Sequence, residues 1–202
     1  SKPYHICGMI SHLGPQLAIA DGVALAYALR KEAKASVAFS GDGGTSEGDF
    51  HEALNVAAVW DLPVIFAIEN NCWGLSTPSI EQFRCKQFID KGIGYGMEAI
   101  QVDGNNILDV IRTVRHIKAE MAQNPRPFLL ELMTFRMRGH EEASGTKYYP
   151  EGLQASWESK DPVVAYENYL LAEGILSEAF VTELKADFKQ QIQTAFEIIL
   201  PI

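Results

Sequence analysis

The chain has 202 residues, 47% of them hydrophobic and 21% charged, ordinary globular values and enough length for one sizeable core. Its net charge of −9, with no cluster of Lys and Arg, excludes a nucleic-acid-binding or anionic-membrane surface, so any phosphate bound here is small and locally neutralised. Cys7, Cys72 and Cys85 are odd in number and widely spaced, which argues against a disulfide framework or a zinc site. No run approaches the roughly 18 apolar residues of a membrane span, and the opening SKPYHICGM lacks a signal-peptide core, so the expected setting is soluble, reduced and cytoplasmic.

In chain order, PQLAIADGVALAYALR (15 to 30) carries Leu17, Ala20, Ala24, Leu25 and Ala28 at helical spacing, with Pro15 suited to a first turn. SVAFS (36 to 40) reads as a short buried strand, followed by the loop GDGGTSEG. DFHEALNVAAVW then places Phe50, Ala53, Leu54, Ala57 and Ala58 on one helical face, and Asp49 with Glu52 predicts a capping box. LPVIFAI (62 to 68) is a continuous apolar run of the kind that parallel strands show when both faces are covered. A loop, NNCWGLSTPS, follows, and a helix is expected over about 79 to 90 before the connector GIGYG.

EAIQV (98 to 102) is the next strand; Asp103 and Gly104 turn the chain, and Asn105 or Asn106 caps a helix running to about Gln123. PFLLELMT (127 to 134) is the last strongly apolar strand, FRMRGHEEASGTKYYPEG is irregular, and helices over about 162 to 173 and 177 to 199 close the chain. Alternating strands and helices predict a doubly wound α/β fold with a parallel sheet, whose ligands sit beyond the carboxyl ends of the strands. One domain over 1 to 202 is expected, with 160 to 202 as a helical tail.

The loop at 41 to 44 sits where a strand ends and a helix begins, so it offers free backbone N–H groups and the positive end of a helix dipole. It matches neither familiar nucleotide motif: no Lys occurs between Lys34 and Lys86, as a P-loop requires, and Ser46 stands where the dinucleotide fingerprint needs a third glycine. Asp42 is then an anion inside a loop built for anions. That makes sense if a divalent cation lies between it and a diphosphate, with a second hard oxygen donor from the neighbouring strand end, where Asn70-Asn71 stand. The same residues also read as a tight turn and a helix cap, as Asp103 and Gly104 illustrate within the chain.

Taken together, Gly41-Asp42-Gly43 and Asn70-Asn71 match the thiamine diphosphate fingerprint, GDG followed by some two dozen residues and NN. The fuller text, GDGGTSEGDFHEALNVAAVWDLPVIFAIENN and the STP beyond it, resembles the α component of the E1 subunit of 2-oxo acid dehydrogenase complexes, over nearly the whole chain. The resemblance implies a thiamine diphosphate-binding fold, with Mg²⁺ ligated by Asp42, the Asn71 side chain and the Trp73 main-chain carbonyl. It implies that Gly41, Gly43 and Gly44 line the diphosphate, and that Ser11 and Leu13, in SHLGPQ, touch the aminopyrimidine side through their backbone. His140, in TFRMRGH, matches the family histidine that reaches the diphosphate and the reacting carbon, with Arg136 in the same loop.

By the same resemblance, the activity is oxidative decarboxylation of a 2-oxo acid, the branched-chain type favoured by STP, with pyruvate and acetoin dehydrogenases as alternatives. The acyl group passes to a lipoyl-bearing E2. The glutamate that activates the cofactor belongs to an E1 β component, so this chain is expected to hold half a site; RMRGHEEASGTKYYP also resembles forms in which α and β are fused. Two departures stand out. Glu141 replaces the phosphorylated serine that follows the loop histidine in animal relatives, and the upstream Tyr-Arg pair that holds the diphosphate has no counterpart. A transketolase-like enzyme and a binding module without chemistry are the rival readings.

Overall fold

The computed structural model describes residues 2–8, 11–141 and 143–199. The chain divides into two compact units, Ser1–Ser159 and Lys160–Ile202. In the first, helix α1 (Pro15–Arg30) opens on Pro15, whose missing N–H and fixed φ suit a first turn, and closes on Lys31 in the left-handed region. Strand β1 (Ser36–Gly41) leads through a 3-10 turn (Gly43–Ser46) to α2 (Gly48–Val59) and β2 (Val64–Asn70). A two-residue hairpin, β3 (Trp73–Gly74) and β4 (Thr77–Pro78), precedes the short helices α3 (Ser79–Gln82) and α4 (Asp90–Gly94). Then follow β5 (Glu98–Asp103), α5 (Ile107–Gln123), β6 (Phe128–Met133) and α6 (Leu153–Glu158). The second unit holds α7 (Pro162–Ala172), capped by the Asp161 side chain, and α8 (Glu178–Ile199), joined by an ion pair of 2.9 Å between Lys185 and Glu167.

The main sheet is parallel, in the order β1-β2-β6-β5. From β1 through α2 to β2 the chain steps one way across the sheet, and from β5 through α5 to β6 it steps the other way. Parallel crossovers are right-handed, so opposite steps place their helices on opposite faces. The core divides accordingly. Val64, Phe66 and Ile68 face Leu17, Phe50, Leu54 and Ala57 of α1 and α2, while Ile65, Phe128 and Leu130 face Ile117 and Met121 of α5. The step direction reverses between β2 and β6, and it is outside the carboxyl ends of such strands that a crevice opens.

The expected helix over 79 to 90 is instead two short helices with residues 83–89 between them. Phe83 leaves the helix in extended conformation, and its ring packs edge-on to the buried Phe88 at 5.7 Å against the main core. Burying both rings outweighs local helical preference. The expected Asp49/Glu52 capping box does not form: α2 begins at Gly48, so Asp49 lies inside the first turn, where an acid complements the helix dipole. The hairpin β3–β4 and helix α6 carry too few residues to show a period in the sequence.

One core residue of α1 is an acid. Asp21 is buried, its Oδ1 accepts no hydrogen bond among the described residues, and burial raises its pKa to about 7. A carboxyl whose folded pKa lies above its unfolded value contributes most at low pH and loses that contribution as pH rises through the folded pKa. Asp21→Asn is therefore expected to raise the unfolding free energy by about 1–3 kcal/mol at pH 8, with the gain shrinking as pH falls from about 7 towards the ordinary value of 3.8. Urea titrations across that range check it, and a gain that grows on acidification contradicts it.

Candidate functional site

Parallel registry brings the end of β1 beside the end of β2, with Gly41 opposite Glu69, and the end of β6 on the other side of β2, with Met133 opposite Asn70. The Thr134 N–H donates to the Asn70 carbonyl at 3.0 Å, so the exits of β2 and β6 leave the sheet together. Three loops converge at this edge: 41 to 47, 71 to 76 and 134 to 152.

In the first loop Asp42 is almost fully buried, with 1% of its surface exposed. Its Oδ1 has no hydrogen-bond partner among the described residues, and the Gln82 side-chain amide stands 3.5 Å from Oδ2. Burial raises its pKa; the backbone N–H of Asn71 facing the carboxyl, the Gln82 amide and the Arg136 charge pull the other way. The turn that carries it is closed by Thr45, whose N–H and hydroxyl both donate to the Asp42 carbonyl, at 3.1 and 2.6 Å. A Cβ on Gly43 would stand 2.8 Å from the Gly74 Cα, so this glycine lets the loops after β1 and β2 touch.

In the second loop the two asparagines fold the backbone over themselves. Asn70 Oδ1 accepts from the Cys72 N–H and Asn71 Oδ1 from the Trp73 N–H, both at 2.9 Å, which holds Cys72 at φ 65. The Asn70 amide in turn donates to Glu131 Oε1 at 2.6 Å, and Gln101 donates to Glu131 Oε2 at 2.8 Å. This chain, buried at Asn70 and Glu131, ties β2, β6 and β5 together beneath the crevice. The Trp73 ring packs against Tyr148 and Tyr149, with centroids 5.5 and 5.2 Å away.

The third loop is pinned by Arg136, whose Nη2 donates to the Leu75 carbonyl at 2.7 Å and to the Tyr148 hydroxyl at 2.8 Å. Its Nη1 lies 3.0 Å from His140 Nδ1. A guanidinium only donates, so Nδ1 is the acceptor, and a neutral His140 carries its proton on Nε2. His140 itself is exposed.

The structure thus gathers Gly41, Asp42, Gly43, Gly44, Asn71, Trp73, Arg136 and His140 at one sheet edge. Ser11 and Leu13 lie exposed, before α1. Their segment reaches the site's flank through Gly14, at φ 102, where a Cβ would come within 2.6 Å of the Asp49 Cβ. Gln82, Glu131 and Tyr148 escaped the sequence reading. Glu131 alone left a signal, as the single acid in FLLELM, a run otherwise apolar. Among the described residues no three His, Cys, Asp or Glu side chains converge, so a cation here would rest on one carboxylate and neutral oxygens, a donor set that suits Mg²⁺.

The family profile described as "Dehydrogenase E1 component" matches residues 1–199. The chain belongs to the dehydrogenase E1 component family. It is 38% identical over 190 residues to 2-oxoisovalerate dehydrogenase subunit alpha 1, mitochondrial, of Arabidopsis thaliana, covering 93% of this chain and 40% of that one. It is 37% identical over 178 residues to 3-methyl-2-oxobutanoate dehydrogenase subunit alpha of Mycobacterium tuberculosis, covering 88% and 48%. Against pyruvate dehydrogenase E1 component subunit alpha of Staphylococcus aureus it is 35% identical over 198 residues, covering 92% and 54%. The chain therefore spans about half the length of the curated relatives it matches.

The glycines of the loop differ in what they tolerate. Gly43→Ala pushes a methyl into the Gly74 backbone and is expected to destabilise by about 1–3 kcal/mol. Gly44→Ala meets only the Ser40 hydroxyl, which can rotate away, and Gly41→Ala meets nothing nearer than 4.0 Å, so both are expected to cost less. Equilibrium unfolding of the three variants gives the order, and equal losses would contradict the close approach of the two loops.

Proposed function

We propose that this chain is an E1 α-type component that anchors thiamine diphosphate and Mg²⁺ for the oxidative decarboxylation of a 2-oxo acid, working with an E1 β component and passing the acyl group to a lipoyl-bearing E2. The observation that carries the reading is Asp42: a buried carboxylate with one oxygen unanswered, at the carboxyl end of a parallel strand, beside Asn71 and a loop that Gly43 lets close against the next one. An uncompensated buried charge is strongly unfavourable, and a divalent cation supplies the missing partner. Membership of the E1 family and the relatives named above support the same cofactor and reaction class.

In this reading Asp42, Asn71 and the Trp73 carbonyl hold the cation, and Gly41, Gly43 and Gly44 offer backbone to the diphosphate. Ser11 and Leu13 flank the aminopyrimidine end. Arg136 keeps His140 Nδ1 occupied as an acceptor, which leaves the Nε2 proton free to be donated towards the reacting group. When bound, the cofactor acts as electron sink for decarboxylation. Trp73, Tyr148 and Tyr149 wall one side of the site and limit water. The activating carboxylate comes from the β component, so the chain by itself anchors the cofactor without turning it over.

A branched-chain 2-oxo acid is the favoured substrate, on the Ser76-Thr77-Pro78 segment and on the names of the Arabidopsis and Mycobacterium relatives. Pyruvate is the alternative, on the name of the Staphylococcus relative. The test is reconstitution with an E1 β component and measurement of 2-oxo acid-dependent reduction of an artificial acceptor, with 2-oxoisovalerate and pyruvate compared. Asp42→Ala is expected to lower activity about 10²-fold or more, the effect of stripping a charged partner from a buried ion. His140→Ala is expected to lower kcat about 10²-fold with the fold intact. Full activity in Asp42→Ala, or turnover without a β component, would overturn the assignment.

A further inference from the structure

Beneath the Asp42 loop lies a lysine that the cofactor reading leaves without a role. Lys91, on α4, projects its ammonium among three phenylalanine rings, 5.2 Å from the centroid of Phe50 and 4.9 Å from those of Phe83 and Phe88. All three distances fall inside the range of cation–π attraction. Phe50 and Phe88 are fully buried, so the cage is part of the core. The hydrogen bonds of the ammonium go to one residue: Nζ donates to the Thr45 hydroxyl at 3.1 Å and to the Thr45 carbonyl at 3.5 Å. No carboxylate among the described residues lies within ion-pair distance of it.

A half-buried ammonium with no carboxylate at ion-pair distance loses hydration that no ion pair offsets, and a methionine of similar length would fill the cage without that loss. The three aromatic faces recover part of it. The rest is explained by what the ammonium touches, because Thr45 closes the turn at the Asp42 carbonyl. A continuous path therefore runs from the aromatic core through Lys91 and Thr45 to the backbone of residue 42. It ends at the loop whose orphaned carboxyl oxygen marks the candidate cation site.

We propose that Lys91 is a positioning residue for the diphosphate loop: held by the phenylalanine cage, its ammonium fixes the Thr45 turn and supplies the positive charge on the protein side of the bound anion. The inference rests on the cofactor reading given above. A diphosphate with one Mg²⁺ and Asp42 leaves a net negative charge at the loop, and Lys91 offsets it from below. Only the anchoring of the anion is assigned to Lys91; it takes no proton and touches no reacting atom.

The test titrates the chain, assembled with an E1 β component, with magnesium thiamine diphosphate, and separately with magnesium pyrophosphate, by calorimetry and thermal shift. It compares the wild type with Lys91→Met, Lys91→Arg, Thr45→Val and Asp42→Ala. Lys91→Met is expected to raise the dissociation constant for both ligands about ten-fold or more, the effect of losing a charge-assisted hydrogen bond. The ligand-free melting temperature is expected to stay level or rise, and Lys91→Arg to recover most of the affinity. Thr45→Val removes the acceptor hydroxyl without touching the cage and is expected to weaken binding in the same direction. If Lys91→Met and Thr45→Val bind like the wild type while Asp42→Ala does not, Lys91 only packs the core and the inference fails with the cofactor reading intact. If Asp42→Ala binds like the wild type, or the wild type binds neither ligand, the cofactor reading falls and the inference with it.

Discussion

A carboxylate removed from water, with one of its oxygens facing no donor, is among the least favourable groups a core can hold, and Asp42 is such a group. The neighbouring features acquire a purpose in relation to it. Thr45 closes the turn that presents it, Gly43 brings the next loop into contact, the Asn71 N–H faces the acid, and the Gln82 amide stands at the limit of hydrogen-bond distance. None of these supplies a full counter-charge. On the reading proposed above, a bound cation supplies that charge.

That arrangement depends on topology before it depends on side chains. Because crossovers are right-handed, stepping inward from the two opposite edges, β1 to β2 and β5 to β6, puts α2 and α5 on opposite faces and leaves β2 and β6 adjacent at the reversal. Three exits then share one edge. The Asn70–Glu131–Gln101 chain keeps that edge from splaying, since every acceptor on Glu131 is matched by a donor from a flanking strand. A network centred on a buried acid specifies geometry only when that acid is fully satisfied.

Much of this was legible in the sequence because it is periodic or local. Continuous apolar runs revealed the central strands β2 and β6, helical spacing revealed α1 and α2, and the Asn105-Asn106 pair marked the start of α5, with Asn106 the one that caps it. The glycine loop and the double asparagine were legible as a pair of strand exits, and the structure brings the two side by side. What stayed hidden depends on distance through space. The break between α3 and α4 follows from packing Phe83 and Phe88 together, and the capping box fails because α2 begins at Gly48 and takes Asp49 into its first turn. Gln82 and Tyr148 reach the site from segments whose local sequence carries no mark of it.

The bridge from Arg136 to the loop after β2 ends on the Leu75 carbonyl rather than on a side chain, and the Leu75 side chain is exposed. The connection is therefore indifferent to the residue identity at 75, provided that residue can hold φ near 56, where asparagine or glycine sits more comfortably than leucine. Position 75 is a place where mutational drift, or deliberate recoding of the crevice rim, can proceed while the grip between the loops survives.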